Sequence, residues 1–252
     1  MRKHYFLRLF ILCTLLFLVG SCGPQRRITI PDNRIYDNGP IVWEAPSKPL
    51  PAPKQPIVKK EKLETIVIDA GHGGKDTGAL SEKNHYEEKQ LTLVTARLIQ
   101  KYLEEMGYET VLTRDGDNFI ELSNRALLAN SLKADLFVSI HYNFCETPDV
   151  EGIEVYYYKD QKNPSAQRLV ASRHLGEEVL SRIVKHTGAQ SRGIKTANFA
   201  VIRETTMPAI LVEGGFLSHP GERERIKDHD YRCYLAWGIA RGVDSYLEKN
   251  RK

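Results

Sequence analysis

Cysteine is scarce in this chain. Its four residues, Cys13, Cys22, Cys145 and Cys233, are too few and too scattered for a disulfide-built scaffold or a cysteine metal cluster. Cys145 and Cys233 are expected as two buried thiols. Long apolar runs are missing as well: the longest spans Leu9 to Val19, short of the ~20 residues that cross a bilayer as a helix. An excess of charge of one sign is nearly absent. The formal charge of +4 owes three units to Arg2, Lys3 and Arg8, so the chain without them carries +1. That balance gives no electrostatic footprint for nucleic acid. There is no internal repeat. The glycines of Gly71-His72-Gly73-Gly74-Lys75-Asp76-Thr77-Gly78 have neither the spacing of a phosphate loop nor that of a dinucleotide fingerprint.

What is present falls into three parts. Residues 1–21 have a basic start, an apolar stretch and small residues, the layout of an export signal. The end of the signal, Leu18-Val19-Gly20-Ser21-Cys22, resembles a bacterial lipobox, which implies lipidation of Cys22. Residues 22–62 then read as an extended tether. Pro31, Pro40, Pro46, Pro49, Pro51, Pro53 and Pro56 break any helix, and Lys59, Lys60, Glu61 and Lys62 close the stretch. Ile28, Ile30, Ile41, Val42 and Trp43 are apolar enough to dock locally. Residues 63–252 form the remaining domain.

In that domain strands and helices alternate. The pattern predicts strands at 65–70, 109–113, 134–141, 152–158 and 209–214, with a weaker one near 199–202. Helices are predicted at 88–106, 120–132, 165–186 and 229–248. Leu91, Val94, Leu98, Tyr102 and Met106 share one face of the first, and Leu235, Ile239, Val243 and Tyr246 one face of the last. Gly107 and Gly188 close two of the helices. The expected fold is a single α/β domain, with a mostly parallel twisted sheet flanked by helices on both faces.

Polar groups sit where three apolar strands end, which is where an open α/β sheet builds its site. His72 follows Ile66-Val-Ile-Asp-Ala70 among three glycines that leave its ring uncrowded. His141 follows Leu136-Phe-Val-Ser-Ile140 and precedes Tyr142 and Asn143. Each alone reads as readily as a hydrogen-bonded histidine at a strand end; together they suit a metal if their strands are neighbours. Glu88 opens a helix, where an acid is favoured by the helix dipole alone, and Glu82 and Glu87 rival it as ligands. Glu213 lies within Ile210-Leu-Val-Glu-Gly-Gly-Phe216, where an unpaired carboxylate is costly to bury. A salt bridge to Arg203 or Arg192 would explain it; so would a catalytic role. Two histidines and one glutamate are enough protein ligands for a catalytic zinc (Zn2+), leaving Glu213 as general base.

These residues occur in longer motifs. Ile66-Val-Ile-Asp-Ala-Gly-His-Gly-Gly-Lys-Asp-Thr-Gly-Ala79, Glu88-Lys-Gln-Leu91, Val111-Leu-Thr-Arg114, Leu136-Phe-Val-Ser-Ile-His-Tyr-Asn143, Arg192-Gly-Ile-Lys195 and Leu211-Val-Glu-Gly-Gly-Phe-Leu-Ser218 stand in the order of one family. Over residues 64–248 the chain resembles the zinc-dependent N-acetylmuramoyl-L-alanine amidases of bacterial cell-wall metabolism. The family often has Asp-Pro-Gly-His where this chain has Asp69-Ala70-Gly71-His72. The resemblance implies zinc on His72, Glu88 and His141, catalysis by Glu213 and peptidoglycan as substrate. The signal layout and the lipobox-like Cys22 separately predict an exported lipoprotein of the bacterial cell envelope, periplasmic and anchored to a membrane. Arg192, Asn198 and Arg203 are expected to contact substrate. A zinc peptidase acting within the stem peptide shares this ligand chemistry; a non-catalytic wall-binding module would be expected to have lost part of it. The short stretch between Tyr158 and the next helix has no room for the extra helix that plugs the site in some relatives.

Overall fold

The computed structural model describes residues 28–29, 35–36, 45–51, 63–81, 86–160 and 166–251. The export signal, Cys22, most of the tether, Glu82 and Pro164 with the expected helix start at Ser165 lie outside the described residues. In chain order the strands are β1 (Ile28–Thr29), β2 (Ile35–Tyr36), β3 (Thr65–Ala70), β4 (Leu80–Ser81), β5 (Tyr86–Glu87), β6 (Glu109–Leu112), β7 (Leu136–Asn143), β8 (Ile153–Tyr157), β9 (Ser191–Thr196) and β10 (Ala209–Phe216). The helices are α1 (Glu88–Glu105), α2 (Leu122–Ser131), α3 (Gln167–Thr187), α4 (Ala200–Arg203), α5 (Pro220–Lys227) and α6 (His229–Asn250).

Six strands form one sheet in the order β6-β3-β7-β10-β8-β9. β6, β3, β7 and β10 run parallel, β8 lies antiparallel to β10, and β9 runs parallel to β8. Strand alternation explains the two covered faces. Ile66, Ile68, Val138, Ile140, Ile210 and Val212 point into a core closed by α1, α3 and α6. Their neighbours Val67, Phe137 and Leu211 point the other way, onto Ala129 of α2 and Val201 and Ile202 of α4. All five positions of the expected apolar face of α1, and all four of α6, are buried. Gly188 ends α3 in the left-handed conformation, with φ +67°, and its N–H bonds Val184 O at 3.0 Å.

The structure corrects four expectations. Residues 200–203 form a helical turn, not a strand, because Val201 and Ile202 enter the second core from successive helical positions. The edge strand β9 was not expected: Ser191-Arg-Gly-Ile-Lys-Thr196 is polar and its residues are at best half-buried. α5 was missed too, being polar, with Pro220 in its first turn and His219 accepting from Glu222 N. Of the two thiols only Cys233 is buried; Cys145 is partly exposed, and neither is in a disulfide. Part of the expected tether docks on the domain: Ser47 N donates to Asp230 Oδ1 at 3.1 Å, Tyr234 Oη donates to Lys48 O at 3.2 Å, and Leu50 packs against the main core. No helix among the described residues is long and apolar enough to cross a membrane.

Candidate active site

The three strands that carry the polar groups are neighbours, in the order β3-β7-β10. Ala70 pairs with Ile140 and Glu213 with His141, so the strand ends come level. α1 begins directly after β5 and turns Glu88 in from the side, the residue only 4% exposed. His72 Nε2, Glu88 Oε1 and His141 Nδ1 then form a nearly equilateral triangle. Its sides are 3.1 Å between the imidazoles, 3.1 Å from His72 to Glu88 and 3.2 Å from His141 to Glu88.

That triangle tests whether a metal fits. Each ring nitrogen carries at most one proton, so three mutual contacts of this length exceed what hydrogen bonds alone can satisfy. A cation facing all three lone pairs satisfies them together. Four-coordinate zinc, with ligand bonds of about 2.0–2.1 Å, sets its ligands about 3.3 Å apart. The donor set therefore fits zinc, and among the described residues it is the one cluster with metal-binding geometry.

Close backbone approach makes the cluster possible. A Cβ on Gly71 would lie 2.3 Å from the His141 ring; one on Gly78, at φ +65°, would lie 2.5 Å from Glu88 Oε2. His72 itself takes φ +60°, a left-handed conformation uncommon in residues other than glycine. Its Nδ1 lies 2.9 Å from Asp76 Oδ2, leaving Nε2 to face the cluster. Glu88 accepts backbone hydrogen bonds from Tyr142 N at 3.0 Å and Ala79 N at 2.9 Å. Burial pushes its pKa up, but pairing with His141 and His72 prevails and holds the carboxyl far below the usual range. Burial lowers the His141 pKa, and the Glu88 carboxylate more than reverses this. Glu87 pairs with Lys89 at 3.2 Å, and Glu88 is the one of the two adjacent glutamates that lies beside the histidines.

Glu213 is unlike Glu88. Its Oε2 is shielded from water and has no hydrogen-bond partner. Burial, reinforced by the charges of Glu88 and Glu154, raises its pKa to about 7 even against the histidines. Neither arginine considered for it pairs with it. Arg192 Nε bonds Glu154 Oε1 at 2.7 Å, beside Lys195, and Arg203 bonds Asn198 and Glu204.

Two cavities meet at His72, His141 and Glu213. One, of about 420 Å³, also holds Glu88 and has Leu80 and Phe144 at its rim. The other, of about 430 Å³, is lined by Asn198, Phe199 and Arg203. Arg192 lines neither, so the structure gathers two of the three expected substrate contacts at the cleft and leaves the third on Glu154. Asp76, Glu154 and the buried Asp69 and Arg125 were missed in the sequence. Only Asp76, four residues after His72, gave a readable signal there.

The chain and its fold have known relatives. The N-acetylmuramoyl-L-alanine amidase family model matches residues 66–245. A probable cell wall amidase, LytH of Staphylococcus saprophyticus, is 32% identical over 92% of this chain and 74% of its own. The crystal structure of an N-acetylmuramoyl-L-alanine amidase from Clostridium difficile 630 is 39% identical over 75% of this chain and 99% of its own, with a TM-score of 0.70. The catalytic domain of CwlV, an amidase from Bacillus (Paenibacillus) polymyxa, is 39% identical over 74% of this chain and 99% of its own, with a TM-score of 0.68. With the family model covering most of the chain and solved amidases sharing its fold, the chain belongs to the N-acetylmuramoyl-L-alanine amidase family of peptidoglycan-cleaving enzymes.

Proposed function

We propose that this protein is a zinc-dependent hydrolase that cuts the amide between the lactyl group of N-acetylmuramic acid and the L-alanine of the stem peptide. One observation carries this reading: a three-donor triangle of zinc dimensions shares its cavity with a carboxylate that has no partner of its own. His72, Glu88 and His141 would hold the zinc. When bound, zinc supplies Lewis acidity, lowering the pKa of water and polarising a carbonyl. Glu213 takes the proton from the attacking water and returns it to the leaving amine nitrogen. Burial raises the proton affinity of Glu213 above that of an ordinary carboxylate, which favours its taking a proton from water. Asn198 and Arg203, on the wall of the second cavity, orient the substrate. Mass spectrometry of digested peptidoglycan tests the bond. The expected products are stem peptides with a free L-alanine N-terminus and glycan without peptides; peptides cut internally would replace the amidase by a peptidase.

The cleft supports activity without a partner. Among the described residues no helix lies between β8 and α3, and the cavities beside His72 and His141 are open to the surface. Purified domain should therefore release peptides from isolated wall unaided. Strict dependence on an added activator would mean that something closes the site.

Lipidated Cys22 would hold the enzyme at a membrane of the cell envelope. Residues 47 and 48 are bonded to α6, so the chain from the lipid would meet the domain at that helix. Cys22→Ala should move the mature protein from the membrane fraction to the soluble one. Unchanged partitioning would end the lipoprotein reading.

A further inference from the structure

Two buried arginines hold the loop that bears His72. Three consecutive carbonyls there accept hydrogen bonds from side chains. Ala70 O accepts from Arg125 Nη1 at 2.7 Å and Arg114 Nε at 2.9 Å. Gly71 O accepts from Arg114 Nη2 at 2.8 Å and Thr92 Oγ1 at 2.7 Å. His72 O accepts from Arg125 Nη2 at 2.8 Å. Arg125, on α2, is 2% exposed and is itself anchored. Its Nη1 lies 2.8 Å from Asp69 Oδ1, and its Nε donates to Ile120 O at 2.9 Å.

Asp69 connects this anchor to the rest of the cluster. Its second oxygen accepts from Ser139 Oγ at 2.6 Å, and Ser139 stands two residues before His141 on β7. One carboxylate thus sets Arg125 and β7 in register, and Arg125 hands that register to His72. The left-handed backbone of His72 is strained, so fixed contacts must hold it. A buried ion pair is weak evidence for stability but can specify geometry. The planar guanidinium reaches Asp69, the Ala70 carbonyl and the His72 carbonyl from two separate nitrogens; a lysine ammonium has all its donors on one nitrogen and cannot span them in the same fixed geometry.

We infer that Arg125 is a positioning residue for His72: anchored on Asp69, it holds the loop so that the imidazole meets Glu88 and His141, and thereby sets metal affinity. The inference rests on the zinc reading above. Zinc titration of the full mature chain against a competing chelator separates the two. Wild type that binds no zinc would sink the metal reading itself, and with it the inference. If wild type binds one zinc, Arg125→Lys should keep the native circular dichroism and a metal-free melting temperature close to wild type. Its zinc dissociation constant should rise about 10- to 100-fold, the usual effect of losing a group that orients a ligand. Unchanged zinc affinity, whether or not the melting temperature falls, would reduce Arg125 to a structural role.

A second measurement needs no variant. Coupling is reciprocal, so zinc must tighten the bonds of Arg125 if Arg125 tightens zinc. In wild type, zinc should slow hydrogen exchange of the Arg125 side-chain N–H groups and leave those of buried Arg232 at the α5–α6 junction unchanged. Equal exchange of Arg125 with and without zinc would overturn the inference, even if Arg125→Lys fails to fold.

Discussion

His141→Ala should abolish both zinc binding and turnover. The substitution leaves His72 Nε2 and Glu88 Oε1, 3.1 Å apart, as the two remaining donors of the cluster. A catalytic zinc keeps three protein ligands and one open position, and two ligands do not hold it against water. Loss of metal affinity should exceed the 10- to 100-fold typical of an orienting partner, because a bonded donor is removed. The fold should survive. Glu88 keeps its bonds from Tyr142 N and Ala79 N, so the buried carboxylate is not left without donors. The space vacated lies beside Gly71 at the cleft, not within the apolar core. Elemental analysis should find about one zinc in wild type and almost none in the variant, with circular dichroism unchanged. Full zinc occupancy in the variant would remove His141 from the ligand set.

Much of this site could be read from strand endings. His72, His141 and Glu213 each follow or interrupt a run of buried aliphatic residues, and a polar group there has to be explained by the edge of the sheet. Sequence left open whether the strands were neighbours, and the order β3-β7-β10 supplies that. Glu88 was legible only through its motif. At a helix start the dipole favours any acid, and nothing local separates Glu88 from Glu87; the separation comes from Lys89, which takes Glu87 away.

What stayed hidden depends on contacts between distant segments. Arg125 sits on α2 in an amphipathic pattern where an arginine reads as solvated, yet it is enclosed and bonded to residues 53 and 55 positions away. Arg192 looked available to substrate because β9 was not foreseen; once β9 pairs with β8, the side chain falls beside Glu154. The turn at 200–203 was misread because two consecutive aliphatics suit a short strand as well as one turn of helix. In each case local periodicity was real, and long-range packing decided its meaning.

Glu213→Gln should separate chemistry from metal binding. Glutamine keeps the size of the side chain but cannot accept the proton of an attacking water. Zinc content should stay at wild-type level, since the three-donor cluster is untouched. Turnover should fall by about 100-fold or more, the scale of losing a general base, with a much smaller change in substrate binding. Stability gives an independent check in the metal-free protein. The Glu213 pKa is raised from 4.5 to about 7 in the fold, chiefly by burial. A raised carboxylate contributes stability that is fully present below 4.5 and lost as pH rises through 7. The loss is on the order of 3 kcal/mol across that window, less where solvent reaches the side chain. Glu213→Gln has no such proton to lose, so wild-type metal-free stability should fall relative to that of the variant over that window. With zinc bound, the added positive charge draws the Glu213 pKa down, and the acidic limb of the wild-type pH–rate profile should fall below 7. Near-normal turnover in Glu213→Gln would remove this carboxylate from the reaction. Loss of zinc would make Glu213 a metal-binding group instead, and the triangle of His72, Glu88 and His141 would no longer account for the site by itself.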